Sequence, residues 1–340
     1  MSSVRLFKYS GAGNDFIVLA DGFEPVGHDG VLAGDFGSEG TVSAALPEEA
    51  SGYGDPEVIR RLCDRRTGFK AADGRIGADG LMMLSPSADA DFRMEYYNSD
   101  GSGGMMCGNG GRCIVAFADF LGIRPAEGKA FVFEAPDGLH TGEILSRNGS
   151  RCIVRLKMID AFGLKRVLGG WFLNTGTRHF VLFTDDVEAV DVAAKGAELR
   201  WNPEFSPEGA NVNFVSPLPD GSLKIRTFEK GVEAETLACG TGITAAAIAA
   251  WNEGIPPAGQ DGDIVRYRLH ARTDGLSVDF RPAGGFGRTG QNQYAPAEEQ
   301  YVVPADLKSA GTEDSRPREV PQPGVTASDV YLTGPAERIA

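Results

Sequence analysis

The sequence predicts an α+β protein made of two pseudo-symmetric domains, each a strand-rich shell around one central helix. Short apolar segments of strand length dominate the chain. Two similar cysteine–glycine strings, at Cys107 and Cys239, each run into an apolar stretch of helical character. Each string also follows a strand and a polar loop, so one order of elements occurs twice.

The first half opens with a strand, a glycine-rich turn and a second strand. Asp55 then provides a helix cap, and Pro56 suits the first helical position, so a helix is predicted over residues 57–66. In chain order, strands are predicted at residues 4–9, 16–20, 81–84, 92–97, 130–134, 141–145 and 152–158.

The second half repeats the pattern of strand, polar loop, cysteine and helix. Its predicted strands are residues 171–174, 180–183, 223–228 and a terminal strand at 330–332. After Cys107, apolar positions such as Cys113, Ile114 and Phe117 predict a helix with one buried face. After Cys239, residues 243–251 are apolar almost all round, which indicates a helix enclosed on every side.

These elements predict two halves and two insertions. The N-terminal half comprises residues 1–153 with 329–340, and the C-terminal half comprises residues 154–283. Residues 22–54 read as a surface insertion because they are rich in Gly, Glu, Ser and Pro. Residues 284–328, again rich in Gly, Pro and charge, are predicted to be a mobile insertion.

Cys107 and Cys239 are predicted to be reactive because each opens a helix. Free backbone amides and the positive end of the helix dipole favour a thiolate there. A single free cysteine is more often a small buried hydrophobe, but two in matched surroundings favour chemistry. The flanking backbone also predicts a carboxylate site. Its amides would be those of Gly108, Asn109, Gly240 and Thr241.

The amino-acid composition limits the classes of partner that the protein is expected to bind. The net charge is −14, with 47 acidic and 33 basic side chains, which argues against nucleic acid and anionic membranes. The chain has no apolar run near the ~20 residues of a membrane span and no apolar signal segment at its start. An odd number of cysteines without a short-spaced framework predicts a reduced, cytoplasmic protein.

A series of strings in fixed order resembles the diaminopimelate epimerase family over most of the chain outside the insertions. The strings are FKYSGAGNDF, RRLCDRRTG, GADGL, YYNSDGS, MCGNGGRC, NTGTRHF, GANVNF, FEKGVEAETLACGTG and VYLTGPAE. The resemblance implies that Cys107 and Cys239 are an acid–base pair on opposite faces of one α-carbon. The substrate would be LL-2,6-diaminoheptanedioate, converted to the meso form without pyridoxal phosphate, another cofactor or a metal. A homodimer is compatible with the resemblance.

The resemblance also implies the substrate contacts. His179 and Glu229 would lie near the reacting ammonium, and Asn14, Asn98 and Asn211 along the rest of the ligand. Lys230 stands where the family often has arginine for the distal carboxylate, and a point charge does not replace a planar fork. We hypothesise that Arg178 supplies that fork.

Two other readings remain open. One is a racemase or epimerase of proline, hydroxyproline or histidine on the same fold. The other, from a different class, is a metal or redox module built on Cys107, Cys113 and a histidine, although the chain lacks Cys-x-x-Cys and histidine pairs at ligand spacing.

Overall fold

The computed structural model describes residues 4–23, 40–41, 50–104, 106–284 and 324–339. The chain divides into two compact units, which are Met1–Lys157 with Thr333–Ala340 (unit 1) and Met158–Leu332 (unit 2). Most of the predicted insertions at 22–54 and 284–328 lies outside the described residues. Tyr53, near the end of the first predicted insertion, is buried in the core of unit 1. A strand begins at Val325, so the second predicted insertion, which ends at residue 328, extends too far into that strand.

Strands make up most of both units. Those of unit 1 are β1 (Phe7–Gly11), β2 (Asn14–Ala20), β3 (Gly40–Thr41), β4 (Lys70–Ala71), β5 (Gly80–Ser85), β6 (Phe92–Asn98), β7 (Ala130–Ala135), β8 (Gly138–Asn148) and β9 (Arg151–Lys157). Those of unit 2 are β10 (Ala161–Val167), β11 (Gly170–Asn174), β12 (Arg178–Phe183), β13 (Asn211–Pro217), β14 (Leu223–Glu229), β15 (Ala234–Thr236), β16 (Gly259–Asp261), β17 (Ile264–His270) and β18 (Gly275–Pro282). The last strand, β19 (Val325–Ile339), contributes to both units.

Each unit has two α-helices among its described residues. Unit 1 has α1 (Pro56–Cys63) and α2 (Gly108–Phe120), and unit 2 has α3 (Val192–Arg200) and α4 (Gly240–Glu253). Single turns of 3₁₀ helix lie at Ala50–Gly54, Val187–Ala189 and Pro203–Phe205. Among the described residues, no helix is both long and apolar enough to span a membrane.

The main strands of unit 1 form a closed ring. In spatial order they are β1, β2, β5, β6, β7, β8, β9 and the end of β19, which pairs with β1 again. All neighbours are antiparallel except two parallel pairs, β2 with β5 and β6 with β7. A closed ring satisfies the backbone on both sides of every strand and leaves an apolar interior to fill.

Helix α2 fills the interior of this ring. It packs against β1, β2, β5, β8 and β9, and every residue from Gly108 to Asp119 is buried. The prediction of one buried face was therefore wrong. Helical spacing marked the apolar face, but Asn109, Arg112 and Asp119 are buried as well, because partners inside unit 1 satisfy their polar groups.

The strands of unit 2 follow the same plan. Their order is β11, β12, β13, β14, β17, β18, the start of β19 and β10, which pairs with β11. Beside β18, the amide of Ala283 donates to the carbonyl of Thr326 in β19 at 3.0 Å. Helix α4 packs against β11 to β14, β17 and β18, and is buried almost throughout, as predicted.

The two units are pseudo-symmetric in element order and strand direction. The parallel pairs β12 with β13 and β14 with β17 stand where unit 1 has β2 with β5 and β6 with β7. The chain forms one α-helix between the two strands of each parallel pair. Helix α1 lies between β2 and β5 and α3 between β12 and β13, whereas α2 lies between β6 and β7 and α4 between β14 and β17. The predicted fold class, two strand-rich shells that each surround a central helix, is confirmed.

Helix α1 shows how local sequence sets its boundaries. At its start, Asp55 Oδ1 accepts hydrogen bonds from the amides of Glu57 at 2.7 Å and Val58 at 3.3 Å. At its end, Asp64 Oδ1 accepts from the amides of Arg66 and Thr67, so that side chain builds a turn. The helix therefore ends at Cys63, before the predicted residue 66.

The Asp55 cap gives a stability prediction. Replacing Asp55 by Ala removes the acceptor for two helix amides and is expected to destabilise unit 1 by about 1 kcal/mol. Thermal unfolding of the full chain would measure the loss. Asp55→Asn keeps an acceptor oxygen and is expected to retain most of the stability. Equal losses in the two variants would contradict a capping role.

Candidate active site

Cys107 occupies the N-cap position of α2. Its backbone is extended, its side chain is partly exposed, and its Sγ accepts a hydrogen bond from the amide of Gly110 at 3.2 Å. A Cβ on Gly110 would lie 3.3 Å from this sulfur, so glycine gives the amide close access. The sulfur therefore lies at the positive end of an enclosed helix, where a thiolate is favoured.

A chain of amides links Asn14 to the first turn of α2. Asn14 Nδ2 donates to Asp79 Oδ2 at 3.0 Å, and Asn14 Oδ1 accepts from Asn109 Nδ2 at 2.6 Å. Asn109 Oδ1 in turn accepts from Arg112 Nη2 at 2.8 Å. A carboxylate can only accept and a guanidinium can only donate, so the two ends fix both amide orientations. Unit 1 thus brings Asn14, Asn109 and the Cys107–Gly108 helix start together, and their contacts with substrate stay a prediction.

A cluster of charges supports the Asp79 end of this chain. Asp79 also accepts from the amide of Asp15 at 3.1 Å and is paired with Arg65. Asp15 bridges Lys8 and Arg65, each at 2.7 Å. The buried Lys8 ammonium donates to the carbonyl of Gly77 as well. The cluster ties β1, β2 and the loop before β5 to one another around Asn14.

Cys239 holds the equivalent position at the start of α4. Its backbone is extended, it is buried, and its Sγ lies 3.4 Å from Thr241 Oγ1. The Cys107 sulfur accepts a hydrogen bond from a backbone amide, whereas the Cys239 sulfur contacts a hydroxyl group. The two thiols share a place at a helix start but differ in their described partners.

His179 lies in the interior of unit 2 with both ring nitrogens engaged. Its Nε2 is 3.0 Å from Thr241 Oγ1, and its Nδ1 is 3.1 Å from Asn213 Nδ2. Burial lowers the pKa of His179 to about 3, so the ring is neutral at pH 7. The prediction that His179 meets the reacting ammonium stays a prediction, since its described contacts are within unit 2.

Asn211 joins the ends of two neighbouring strands. Its Nδ2 donates to the carbonyl of Arg178 at 3.1 Å, and its Oδ1 accepts from the amide of Lys230 at 2.8 Å. Among the described residues, the Lys230 ammonium has no hydrogen bond or ion pair. Asn211 therefore places the backbone of Lys230 while leaving its cation available to a ligand.

Asn98 and Glu229 close strands that hold the same place in the two rings. Asn98 ends β6 and Glu229 ends β14. Asn98 Nδ2 donates to Ser102 Oγ at 3.0 Å within the following turn. This correspondence agrees with the repeated order of strand, polar loop and cysteine in the sequence.

Arg178 has partners of its own. Its guanidinium is 3.7 Å from a carboxylate oxygen of Glu208 and lies over the ring of Phe172, 5.1 Å from the centroid. A guanidinium held by an acid and an aromatic face is not available as a fork unless these contacts break. Lys230 is therefore the better candidate for the distal carboxylate.

Sequence reasoning missed several residues that support the site. They are Arg112 and Asp79 in unit 1 and Asn213 in unit 2. Asn213 was detectable, because GANVNF places Asn211 and Asn213 two positions apart on one face of a strand. Asp79 and Arg112 stand in the strings GADGL and MCGNGGRC, but no local pattern indicates the bond from Asp79 to Asn14, 65 positions away, or the bond from Arg112 to Pro335.

The remaining cysteines are in different surroundings. Burial raises the pKa of Cys113, raises that of Cys63 to about 12 and raises that of Cys152. Each is buried. Across the described ranges, no group of three or more His, Cys, Asp or Glu side chains is placed to hold a metal ion.

Sequence comparison identifies the family. A family model described as diaminopimelate epimerase matches residues 42–158 and 171–262, more than half of the chain. A Flavobacterium psychrophilum protein named diaminopimelate epimerase is 39% identical over 246 residues, or 72% of this chain and 81% of that protein. One of the same name from Aquifex aeolicus is 37% identical over 262 residues, or 74% and 83%.

The chain belongs to the diaminopimelate epimerase family. The family predicted from its ordered strings is confirmed. Two solved structures with the same fold are much more distant in sequence. A phenazine biosynthesis protein of the PhzF family from Bacillus anthracis has a TM-score of 0.58 at 11% identity, covering 100% of this chain and 98% of that one. A hydroxyproline epimerase from Agrobacterium vitis has a TM-score of 0.52 at 13% identity, covering 99% and 90%.

Proposed function

We propose that this protein epimerises LL-2,6-diaminoheptanedioate to the meso form, using Cys107 and Cys239 as an acid–base pair. The observation that carries the proposal is a duplication. Each unit places one cysteine at the start of its enclosed helix, at the same point of the same strand order. Family membership supports the substrate, and the matched thiols support the chemistry.

In the proposed reaction, one thiolate removes the α-proton and the other thiol delivers a proton to the opposite face of the carbanion. The first sulfur ends as a thiol and the second as a thiolate, so the reverse reaction exchanges their roles. The thiols supply and accept every proton, so no cofactor or metal enters the scheme. The carbanion charge would be stabilised by backbone amides at the helix starts, which also hold the reacting carboxylate. Those amides belong to Gly108, Asn109, Gly240 and Thr241.

The remaining site residues are proposed to hold the rest of the substrate. Glu229 and His179 would recognise the reacting ammonium, and Asn14, Asn98 and Asn211 the chain that leads to the second centre. In unit 1 this role for Asn14 is supported by its fixed amide, whose orientation Asp79 and Asn109 determine. Preorganised polar groups bind a ligand with less entropy cost than groups that must reorient.

Lys230 gives a prediction about the distal carboxylate. Lys230→Met removes the cation and is expected to raise KM for diaminopimelate about tenfold or more, with a smaller effect on kcat, because a charge-assisted contact contributes about 1.5–3 kcal/mol. Steady-state kinetics would measure both constants. Lys224→Met is the control and is expected to leave KM unchanged, because Lys224 lies on β14, the strand that Lys230 follows, and is paired with Glu188. An unchanged KM in Lys230→Met would remove Lys230 from the substrate site.

The assay that tests the function measures epimerisation of LL-diaminopimelate in D₂O, with proline, hydroxyproline and histidine as competing substrates. We expect meso product with deuterium at the inverted α-carbon, and activity that persists after gel filtration and addition of EDTA. Inversion of one of the other amino acids, without turnover of diaminopimelate, would overturn the proposal in favour of the alternative racemase reading.

We also propose a cytoplasmic location, supported by an odd number of cysteines without a short-spaced framework, and a homodimeric assembly, supported by the family resemblance. Cell fractionation and light scattering of the purified chain would test them. Recovery outside the cytoplasm, or a monomeric mass, would contradict the respective proposal.

A further inference from the structure

Asn213 is a buried asparagine in β13 whose side-chain amide is fully used. Its Nδ2 donates to the carbonyl of Phe180 at 3.2 Å, and its Oδ1 accepts from Thr227 Oγ1 at 3.0 Å. A carbonyl can only accept, so the contact with Phe180 identifies the nitrogen of the amide. The second hydrogen of Nδ2 points to Nδ1 of His179, 3.1 Å away.

This orientation determines the tautomer of His179. Because Nδ1 accepts from Asn213, the proton of the neutral ring is on Nε2. Nε2–H then donates to Thr241 Oγ1, 3.0 Å away. Thr241 receives a hydrogen bond from the ring, so it does not need to give its own proton to it. The hydroxyl proton is left for another acceptor, and Cys239 Sγ lies 3.4 Å away.

We propose that Asn213 is a positioning residue, which holds His179 in the Nε2–H tautomer so that the Thr241 hydroxyl donates to Cys239. The inference rests on the proposed function, since it gives the second acid–base thiol a fixed hydrogen-bond donor. With the opposite tautomer, Nε2 would accept the hydroxyl proton and the sulfur would lose that donor. In catalytic triads an aspartate selects that opposite tautomer by accepting from Nδ1–H.

The packing of α4 supports the arrangement independently. A Cβ on Gly242 would lie 2.4 Å from Asn213 Oδ1, so only glycine lets the first turn of α4 approach this amide. The Thr175 hydroxyl also donates to the carbonyl of Thr241 at 2.9 Å, which fixes the backbone of the residue that links His179 to Cys239. Burial lowers the pKa of His179 to about 3, so the ring stays neutral and its tautomer is a defined state at pH 7.

The first test reads the tautomer directly. The full chain is labelled with ¹⁵N-histidine, and the signals of His179 are identified by their loss in His179→Gln. We expect a pyridine-type shift for Nδ1 and a pyrrole-type shift for Nε2 at pH 7. The reverse assignment in the wild-type protein would overturn the inference. This measurement needs no variant of Asn213, so it holds even if such variants do not fold.

The second test follows the effect on the sulfur. In a Cys107→Ala background, alkylation of Cys239 by iodoacetamide at pH 7 reports its thiolate fraction. Asn213→Asp should accept Nδ1–H, reverse the tautomer and slow alkylation about tenfold, the equivalent of about one pKa unit. Thr241→Val should slow it similarly, and Thr241→Ser should restore the wild-type rate.

A double variant, Asn213→Asp with Thr241→Val, distinguishes an effect transmitted through the Thr241 hydroxyl from a general loss of structure. Asn213→Asp should add no further slowing in the Thr241→Val background, because the hydroxyl on which it acts is absent. Additive slowing would overturn the inference. Asn252→Ala, which removes an amide bonded to the carbonyl of Ile248 on α4, is the control and should not alter the rate. These measurements use no amino-acid substrate, so their failure overturns only the positioning role, whereas absent epimerase activity overturns only the proposed function.

Discussion

Replacing either Cys107 or Cys239 by alanine is expected to abolish epimerisation of diaminopimelate, with a loss of about 10³-fold or more. Each thiol supplies one of two proton transfers, and general acid–base groups contribute about 10²–10⁴-fold each. Because neither transfer proceeds alone to an inverted product, the double variant should be little worse than the single ones. Chiral chromatography of the products would measure the loss.

The single variants should also separate the two half-reactions. A lone thiolate can remove the α-proton of the isomer it faces and return deuterium from the solvent to the same side. In D₂O we therefore expect exchange without inversion, with Cys107→Ala and Cys239→Ala acting on different isomers. If one variant still inverted the centre, a single base would perform both steps and the paired mechanism would fail.

Cys113→Ala is the matched control for these variants. Cys113 lies within α2, whose N-cap is Cys107, but the Cys113 thiol is buried and its pKa is raised by that burial. Its replacement should alter stability more than chemistry, with kcat close to that of the wild-type protein. A loss of activity as large as that of Cys107→Ala would show that damage to α2, and not loss of a base, explains both results.

Arg112→Met is expected to destabilise unit 1 by about 3–5 kcal/mol, the second large effect. The buried guanidinium donates to the carbonyls of Gly108 at 3.0 Å and Pro335 at 3.2 Å, and to Asn109 Oδ1 at 2.8 Å. Each acceptor left without a donor in the interior costs about 1–3 kcal/mol. Native-state hydrogen exchange of the α2 amides would give the loss in the intact chain.

Arg124→Met provides the comparison. Arg124 follows the same helix, pairs with Asp119 at 3.2 Å and is exposed, so its removal should cost less than about 1 kcal/mol. Similar losses in the two variants would contradict the view that burial gives Arg112 its large effect.

The sequence predicted the repeated part of the fold well, because periodicity and glycine-rich turns are local signals. The strand before each cysteine, the helix after it and the strong enclosure of α4 follow from apolar spacing alone. Ring closure was not accessible in this way. It depends on pairs such as Lys8 with Ile339, which hydrophobic patterns do not connect.

Helix α3 shows where pattern reasoning fails. At its buried contact, a Cβ on Gly196 would lie 2.4 Å from Phe228, so close packing against β14 selects a residue with no apolar signal and poor helix propensity. Tertiary packing therefore overrides the local pattern. The site shows the same limit: Asp79 and Arg112 stand in recognisable strings, as the thiols and Asn14 do, but their supporting roles become apparent only through their contacts with Asn14 and Asn109.

Strand β19 has a consequence for how the chain folds during synthesis. Its first residues pair with β10, where Ala327 is opposite Ala161, and its last residues pair with β9 and β1, where Gly334 is opposite Val154 and Ile339 opposite Lys8. A nascent chain that ends before residue 325 therefore lacks one strand of each ring. Neither ring can close until this segment has left the ribosome, and until then the open strand edges can pair with other chains.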